Sequence, residues 1–175
     1  MTVHHTALER LIAGFDCRVM QNSLRAMYVE EQIGILLGSN WRHTGANWAG
    51  WDFENARGTR LEVKQSAAQQ SWYQKNPSSG VYDIGARDGH YEGANLIPEK
   101  GRLAAIYVFA WHGGWNDDTT DHRDESQWEY YVIPTQDLPP KQKTIALSRI
   151  GRLAPSVIAS ELAHTVDAIE ARMPA

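Results

Sequence analysis

Hydrophobic and polar residues alternate most regularly between Trp51 and Lys64. Hydrophobic side chains take every second position there, a period that is typical of half-buried β-strands. Residues 56–58 interrupt the alternation and suit a three-residue hairpin loop, in which Gly58 takes a left-handed backbone conformation that costs other residues energy. The pattern therefore predicts a tight β-hairpin over residues 51–64.

The register of this hairpin places charged side chains together. With Phe53 opposite Leu61, Asp52 lies opposite Glu62, and Lys64 shares the face of Glu62 because it follows two residues later. Like charges directly opposite each other destabilise a pair of strands. A cation, either the Lys64 ammonium group or a metal ion, would convert this repulsion into a binding site. Charged alternation is also typical of a sheet face that is simply solvated.

The same two periods predict elements elsewhere in the chain. Three- and four-residue spacing of hydrophobic residues predicts helices over residues 3–14, 22–37 and 155–169, and Ser66 is expected to cap a short helix over residues 66–73. Short apolar runs predict strands over residues 40–43, 81–84, 103–111, 127–133 and 143–147. This order predicts one α/β domain spanning residues 1–175, with a mixed β-sheet flanked by helices.

The predicted helix over residues 22–37 carries two adjacent acidic residues. Glu30 shares a face with Val29 and Ile33, which places it on or beside the apolar side of the helix. Glu31 lies about 100° further round the helix. One of the two is expected in solvent, whereas the other needs a partner or a cation if it is buried.

Composition and charge narrow the classes of function. The chain has 175 residues, of which 42% are hydrophobic and 22% charged, which is typical of a globular protein with a sizeable core. The formal net charge of −4 argues against a protein that simply coats nucleic acid, because such domains are usually basic. An acidic metal site is compatible with this charge, since a bound cation offsets carboxylates locally.

The chain carries no sequence signal for export or for a membrane. Cys17 is the single cysteine, so an internal disulfide is excluded and a reducing compartment is favoured. The first residues lack the apolar core of a signal peptide, and the longest apolar run, over residues 103–111, is too short to span a bilayer as a helix. We therefore expect a cytoplasmic protein with no membrane partner.

Of two further groups of polar residues, an acidic segment is expected to be a solvated loop, and scattered histidines are expected to have structural roles. The segment over residues 112–126 is acidic, with Asp117, Asp118, Asp121, Asp124 and Glu125. It lacks the glycine and the terminal glutamate of an EF-hand loop. The histidines without zinc-ligand spacing are His43, His90, His112 and His122, and zinc sites need closely defined spacing.

Asp52, followed by Glu62-Val63-Lys64 in the next strand, resembles the motif of the PD-(D/E)xK phosphodiesterase superfamily. The resemblance covers roughly residues 23–73 and implies a restriction-endonuclease-like fold. Asp52 takes the place of the first acid of the motif, and the glutamate and lysine of the tripeptide take the places of its second acid and its lysine. Trp51 stands where the name of the motif has proline, which many members of the superfamily also lack.

Residues outside the hairpin extend the resemblance. Glu30 matches an acidic residue that many members carry on the preceding helix. Gln69 and Tyr73 resemble the Gln-x-x-x-Tyr element of the exonuclease branch, which implies that they position the phosphate or the attacking water. Gln65 or Gln70 could take the place of the glutamine instead.

The resemblance implies Mg²⁺-dependent hydrolysis of phosphodiester bonds in DNA, in repair, restriction or defence, by an endo- or exonuclease. Asp52, Glu62, the carbonyl of Val63 and Glu30 are the implied metal ligands, and Mg²⁺ prefers such oxygen donors. Mn²⁺ is an alternative metal. Lys64 would hold or help to deprotonate the attacking water, or contact the phosphate.

Other functional hypotheses stay open at this point. The acidic charge and the small size favour a catalytically inactive nuclease-fold module that binds nucleic acid or a protein partner. An oligomeric scaffold without nuclease ancestry is a third reading, which the absence of a hairpin over residues 51–64 would favour. A homodimer is a further alternative, since small nucleases often need two copies to cut both strands.

Overall fold

The computed structural model describes residues 2–44, 49–116 and 118–173. Within these ranges the chain forms four α-helices, α1 (Val3–Phe15), α2 (Asn22–Leu37), α3 (Leu147–Leu153) and α4 (Ala159–Glu170). The same ranges contain nine β-strands, β1 (Trp41–His43), β2 (Phe53–Asn55), β3 (Arg60–Ala67), β4 (Val81–Asp83), β5 (His90–Glu92), β6 (Asn95–Ile97), β7 (Ile106–His112), β8 (Trp128–Pro134) and β9 (Thr144–Ala146).

A five-stranded mixed sheet in the order β1-β2-β3-β7-β8 forms the centre of the molecule. Strands β3 and β7 are parallel, with Leu61 beside Ile106, and the other neighbouring strands are antiparallel. β7 is buried along nearly its whole length, as expected for a strand that is covered on both faces. The prediction of a single α/β domain with a mixed sheet is therefore confirmed, whereas the restriction-endonuclease-like fold stays a prediction.

Helices α2 and α4 cover one face of this sheet. Leu61 and Val63 of β3 pack there with Val29 of α2 and with Leu162 and Val166 of α4. All five side chains are buried, and their removal from water stabilises the fold through the hydrophobic effect. The apolar side of α2 thus anchors the helix that carries the two adjacent acidic residues.

The opposite face of the sheet carries a second core. Tyr107 and Phe109 of β7 pack there with Tyr82 of β4, Ile145 of β9 and Ile150 of α3. Successive side chains of a strand point to opposite faces. The glutamate and the lysine of β3 therefore lie on this second face, and not against α2 and α4.

The predicted hairpin over residues 51–64 is confirmed. β2 pairs with β3 in the expected register, with Phe53 opposite Leu61. Gly58 has a φ of 78°, and its N–H donates to the carbonyl of Asn55 at 2.9 Å, which closes the loop. The condition that would favour the scaffold reading, a chain without this hairpin, is not met.

The prediction of a short helix after β3 is wrong. β3 continues to Ala67 and pairs with β7 as far as His112, so sheet hydrogen bonds hold this backbone extended. Beyond the strand, Gln74 accepts from the N–H of Gln70 at 2.6 Å and donates to the carbonyl of Ala68 at 3.3 Å. Such side-chain bonds compete with helix formation for the backbone groups.

The C-terminal helix begins later than predicted. Pro155 does not lie in its first turn, because α4 starts at Ala159. Val157 and Tyr130 exchange backbone hydrogen bonds of 2.8 and 2.9 Å, and this bridge keeps the chain extended beside β8. A separate short helix, α3, occupies residues 147–153 instead.

A small hairpin in the loop-rich segment was not predicted. β5 and β6 pair with each other, and Gly93 between them has a φ of 60°. The two ends of this segment are joined by backbone hydrogen bonds between Arg87 and Gly101. Residues 87–101 are called the hairpin arm below.

The acidic segment over residues 112–126 is organised by its own side chains, apart from Asp117, which lies outside the described residues. Asp121 accepts from Nη2 of Arg123 at 2.8 Å. Asp124 accepts from the N–H of Ser126 at 2.9 Å. In the described parts of the chain, no helix is both long enough and apolar enough to cross a membrane.

Candidate active site

The hairpin brings Asp52 against β3. The N–H of Asp52 donates to the carbonyl of Leu61 at 2.9 Å, so Asp52 and Phe53 both lie against Leu61. Its side-chain Oδ2 accepts from the N–H of Val63 at 2.6 Å. The carboxylate therefore reaches across the end of the hairpin, beside the strand that carries Glu62.

Glu62 is buried, and two cations approach the same oxygen of its carboxylate. Nζ of Lys64 donates a hydrogen bond to Oε1, as the shared face of β3 predicts. Nη2 of Arg87 lies 3.6 Å from the same Oε1. No sequence pattern indicates Arg87, because it lies far along the chain in a glycine-rich segment without a motif.

Glu30 rather than Glu31 faces the site. The Glu30 side chain is 29% exposed and pairs through Oε1 with Nε2 of His43, whereas the Glu31 side chain is 70% exposed. The charge of Glu30 also acts on Asp52. We call Asp52, Glu62 and Glu30 the carboxylate corner.

The carboxylate corner changes the acidity of Asp52. Burial, and then the negative charges of Glu62 and Glu30, raise the pKa of Asp52 to about 7, against the opposing effects of the Val63 N–H and Lys64. Among the described residues Asp52 forms no ion pair of its own. A proton, or a cation in its place, therefore relieves the repulsion among these carboxylates.

The donor set of the corner fits Mg²⁺ by its chemistry. The three carboxylates supply the hard oxygen ligands that this ion prefers. The N–H and C=O of one strand residue point toward the same neighbouring strand, so the Val63 carbonyl is directed toward Asp52 as well. Mn²⁺ takes the same donors.

The carboxylates are not arranged as a ready-made metal cage. Within residues 2–44, 49–116 and 118–173, no three His, Cys, Asp or Glu side chains are placed to hold a metal ion. Metal binding would therefore draw the carboxylates closer together. Glu30 would exchange its contact with His43 for the metal, and Glu62 would share its charge between the metal and Lys64.

Gln69 and Tyr73 lie away from this corner. Because no helix forms there, the predicted one-turn spacing between them is wrong. Both line a surface pocket of about 550 Å³ together with Trp72 and Trp115, and no member of the carboxylate corner lines it. Tyr73 is almost fully exposed. A role of these two residues in positioning phosphate or water stays a prediction.

The two alternative glutamines surround a buried arginine instead. Oε1 of Gln65 accepts from Nε of Arg25 at 2.7 Å, and Oε1 of Gln70 accepts from its Nη2 at 3.0 Å. Asn22 accepts from the same Nη2 at 2.8 Å. All three partners are neutral, and burial lowers the pKa of Arg25 to about 10. These glutamines therefore stabilise an internal cation and do not reach the carboxylates.

His112 and His122 form a buried structural pair. Their ring centroids are 4.9 Å apart, and that of His112 lies 5.0 Å from Trp128. Nδ1 of His122 accepts from the N–H of Met20 at 3.1 Å, and Nε2 of His112 lies 3.2 Å from the carbonyl of Asp121. These contacts hold the loop that contains Asp121 and His122 against β8.

Comparison of the chain with protein-family models, with curated proteins and with solved structures gives no match. Membership in the PD-(D/E)xK superfamily therefore stays a prediction from the motif. The carboxylate corner, its lysine and Arg87 are therefore the features from which a function is inferred.

Proposed function

We propose that the protein is a Mg²⁺-dependent nuclease that hydrolyses phosphodiester bonds in DNA at the carboxylate corner. The observation that carries the proposal is the pKa of Asp52, which burial and the charges of Glu62 and Glu30 raise, next to a strand on which Lys64 is hydrogen-bonded to Glu62. Perturbed acids that meet a cation in one place are typical of functional sites.

Each residue has a distinct chemical role in this proposal. Asp52 and Glu62 would hold the metal, and the Val63 carbonyl and Glu30 would be further oxygen donors. Mg²⁺, when bound, supplies positive charge at the phosphate and lowers the pKa of a water. Lys64, oriented by Glu62, would donate a hydrogen bond from Nζ to the attacking water or to a phosphate oxygen.

Cleavage of DNA tests the proposal directly. Single-stranded, linear double-stranded and circular DNA are incubated with the protein in Mg²⁺ or Mn²⁺, beside Glu62→Gln. Wild type is expected to cut at least one form, and Glu62→Gln to lose about 100-fold or more in rate, because it removes the negative charge that attracts the metal and pairs with Lys64. Glu92→Gln is the matched control, since Glu92 is exposed on the hairpin arm.

Equal background cleavage by wild type and Glu62→Gln on every form would refute the nuclease proposal. Binding of DNA without cleavage would favour the second candidate, a catalytically inactive nuclease-fold module. One observation favours that candidate: Glu62 already has two cations beside one of its oxygens, which weakens its attraction for a metal ion.

A further inference from the structure

Arg87 stands beside the carboxylate corner with unused hydrogen-bond donors. Its Nη2 lies 3.6 Å from Oε1 of Glu62, beyond hydrogen-bond length, and its guanidinium donates to no other described residue. Arg102 nearby differs, because its guanidinium donates to the carbonyls of Ile84, Pro139 and Gln142 at 2.6 to 2.9 Å. Arg102 therefore connects three segments of the fold, whereas Arg87 is attracted to Glu62 without a hydrogen bond that fixes its guanidinium.

The hairpin arm fixes the position of Arg87. The backbone of Arg87 donates to and accepts from Gly101, at 2.8 and 2.9 Å. Further along the arm, the buried ring of His90 lies 4.9 Å from that of Trp51, the residue before Asp52. The arm therefore packs directly on the segment that delivers Asp52 to the site.

The space at this junction is filled. A Cβ atom on Gly50 would lie 2.5 Å from Cδ1 of Leu103 and 3.0 Å from Cβ of His90. Because the arm and the hairpin are in such close contact, Arg87 keeps its place relative to the carboxylates. Its side chain is still 44% exposed, so a ligand can reach it.

The local charges favour an anion. Lys64 and Arg87 bring two positive charges to one oxygen of Glu62, which has one negative charge. A phosphate group offers paired oxygens that match the planar guanidinium fork. It would give Arg87 the hydrogen bonds that Glu62, at 3.6 Å, does not.

We propose that Arg87 and Lys64 form a phosphate-binding site beside Glu62, which takes a phosphodiester group of DNA. This inference rests on the proposed function for the identity of the ligand. Arg87 is the residue that the hairpin arm contributes to substrate binding. Lys64 faces the phosphate from β3, and Arg87 faces it from the arm.

Binding of fluorescently labelled single- and double-stranded DNA oligonucleotides tests the inference without requiring cleavage. Anisotropy is measured in Ca²⁺ over a range of salt concentrations for wild type, Arg87→Ala and Arg87→Lys. Arg57→Ala is the matched control, since Arg57 lies 3.7 Å from a carboxylate of Glu170 and its side chain is 73% exposed. Thermal unfolding verifies that each variant is folded.

Arg87→Ala is expected to weaken binding about tenfold and to reduce the salt slope by about one, because one phosphate contact is lost. Arg87→Lys is expected to keep the salt slope and recover part of the affinity. Arg57→Ala is expected to bind like wild type. If Arg87→Ala and Arg57→Ala bind alike, or if wild type binds neither oligonucleotide, the inference is wrong.

The two proposals fail separately. A wild type that does not cleave DNA, but whose binding depends on Arg87, refutes the nuclease and keeps the phosphate site. A wild type that cleaves DNA, with Arg87→Ala equal to Arg57→Ala in binding and rate, keeps the nuclease and refutes the phosphate site.

Discussion

The carboxyl group of Asp52 is subject to repulsion from neighbouring carboxylates. The group is partly buried near Glu62 and Glu30, and its pKa is raised to about 7. The folded chain therefore binds a proton there that the unfolded chain releases, since an ordinary Asp has a pKa of about 3.9. Stability contributed by this proton is present at low pH and is lost as the pH rises through about 7.

Replacing Asp52 by Asn tests this repulsion in metal-free buffer. Asn keeps an oxygen that can accept from the Val63 N–H but carries no charge. Asp52→Asn is expected to raise the free energy of unfolding at both pH values, by at least about 1 kcal/mol more at about pH 8 than at about pH 5. Denaturant unfolding at both pH values measures the difference. A variant less stable than wild type at the higher pH would contradict the repulsion.

Single residues also show what the sequence can predict about the site. Asp52 directly precedes β2, and Glu62 and Lys64 lie on β3 after the tight turn, so their proximity follows from local alternation alone. The sequence could not decide between Glu30 and Glu31, because the angle at which α2 packs on the sheet determines which of them faces the site. Arg87 could not be predicted, because its place depends on the packing of the hairpin arm against Trp51.

At the scale of elements, the β2–β3 hairpin depends on its loop. Gly58 has a φ of 78°, and a Cβ atom there would meet nothing within 4 Å. Any cost of Gly58→Ala therefore comes from the backbone conformation and not from a clash.

Gly58→Ala is expected to destabilise the protein by about 1 kcal/mol, because a left-handed conformation is unfavourable for residues with a Cβ. Gly151→Ala is the matched control. Gly151 lies within α3 and has only an ordinary contact with Tyr131, so this change is expected to stabilise by about 0.5–1 kcal/mol. Thermal unfolding of both variants compares them. The same sign for both would contradict the assigned loop conformation.

Elements were predictable where their signals are local. The strands of the central sheet and α2 follow from short-range patterns, including the glycine that ends α2. The prediction of a helix after β3 was wrong because pairing with the parallel strand β7 extends β3 to Ala67. The late start of α4 has a similar cause, since Val157 is held by Tyr130. Both errors come from pairing between residues that are distant in the sequence.

At the scale of the whole molecule, the buried histidines change stability with pH in the direction opposite to Asp52. Burial, then the charge of Arg25, lowers the pKa of His122 to about 3, and burial also lowers the pKa of His112. The unfolded chain binds protons that these folded histidines exclude. Their contribution to stability is therefore complete above about pH 6.5 and decreases as the pH falls.

The two opposing effects predict a pH profile that Asp52→Asn changes. In wild type, protonation of Asp52 partly offsets the loss from the histidines between about pH 7 and pH 5. In Asp52→Asn the offset is absent, so the free energy of unfolding is expected to fall by at least about 2 kcal/mol across this interval, from His122 alone. Urea unfolding at several pH values records both profiles. A flat profile for Asp52→Asn would show that the histidines are not buried in neutral form.

The parallel pairing of β3 with β7 has a consequence for how the chain folds. The hairpin over residues 51–64 joins near neighbours in sequence, whereas β3 meets β7 only after the chain over residues 68–105 has closed into a loop. Contacts between near neighbours form faster than contacts between distant segments. We therefore expect Asp52 and Glu62 to meet first in water, where their repulsion is small. The cost of burying them arises in the later step, when β7 docks and brings the hairpin arm with it.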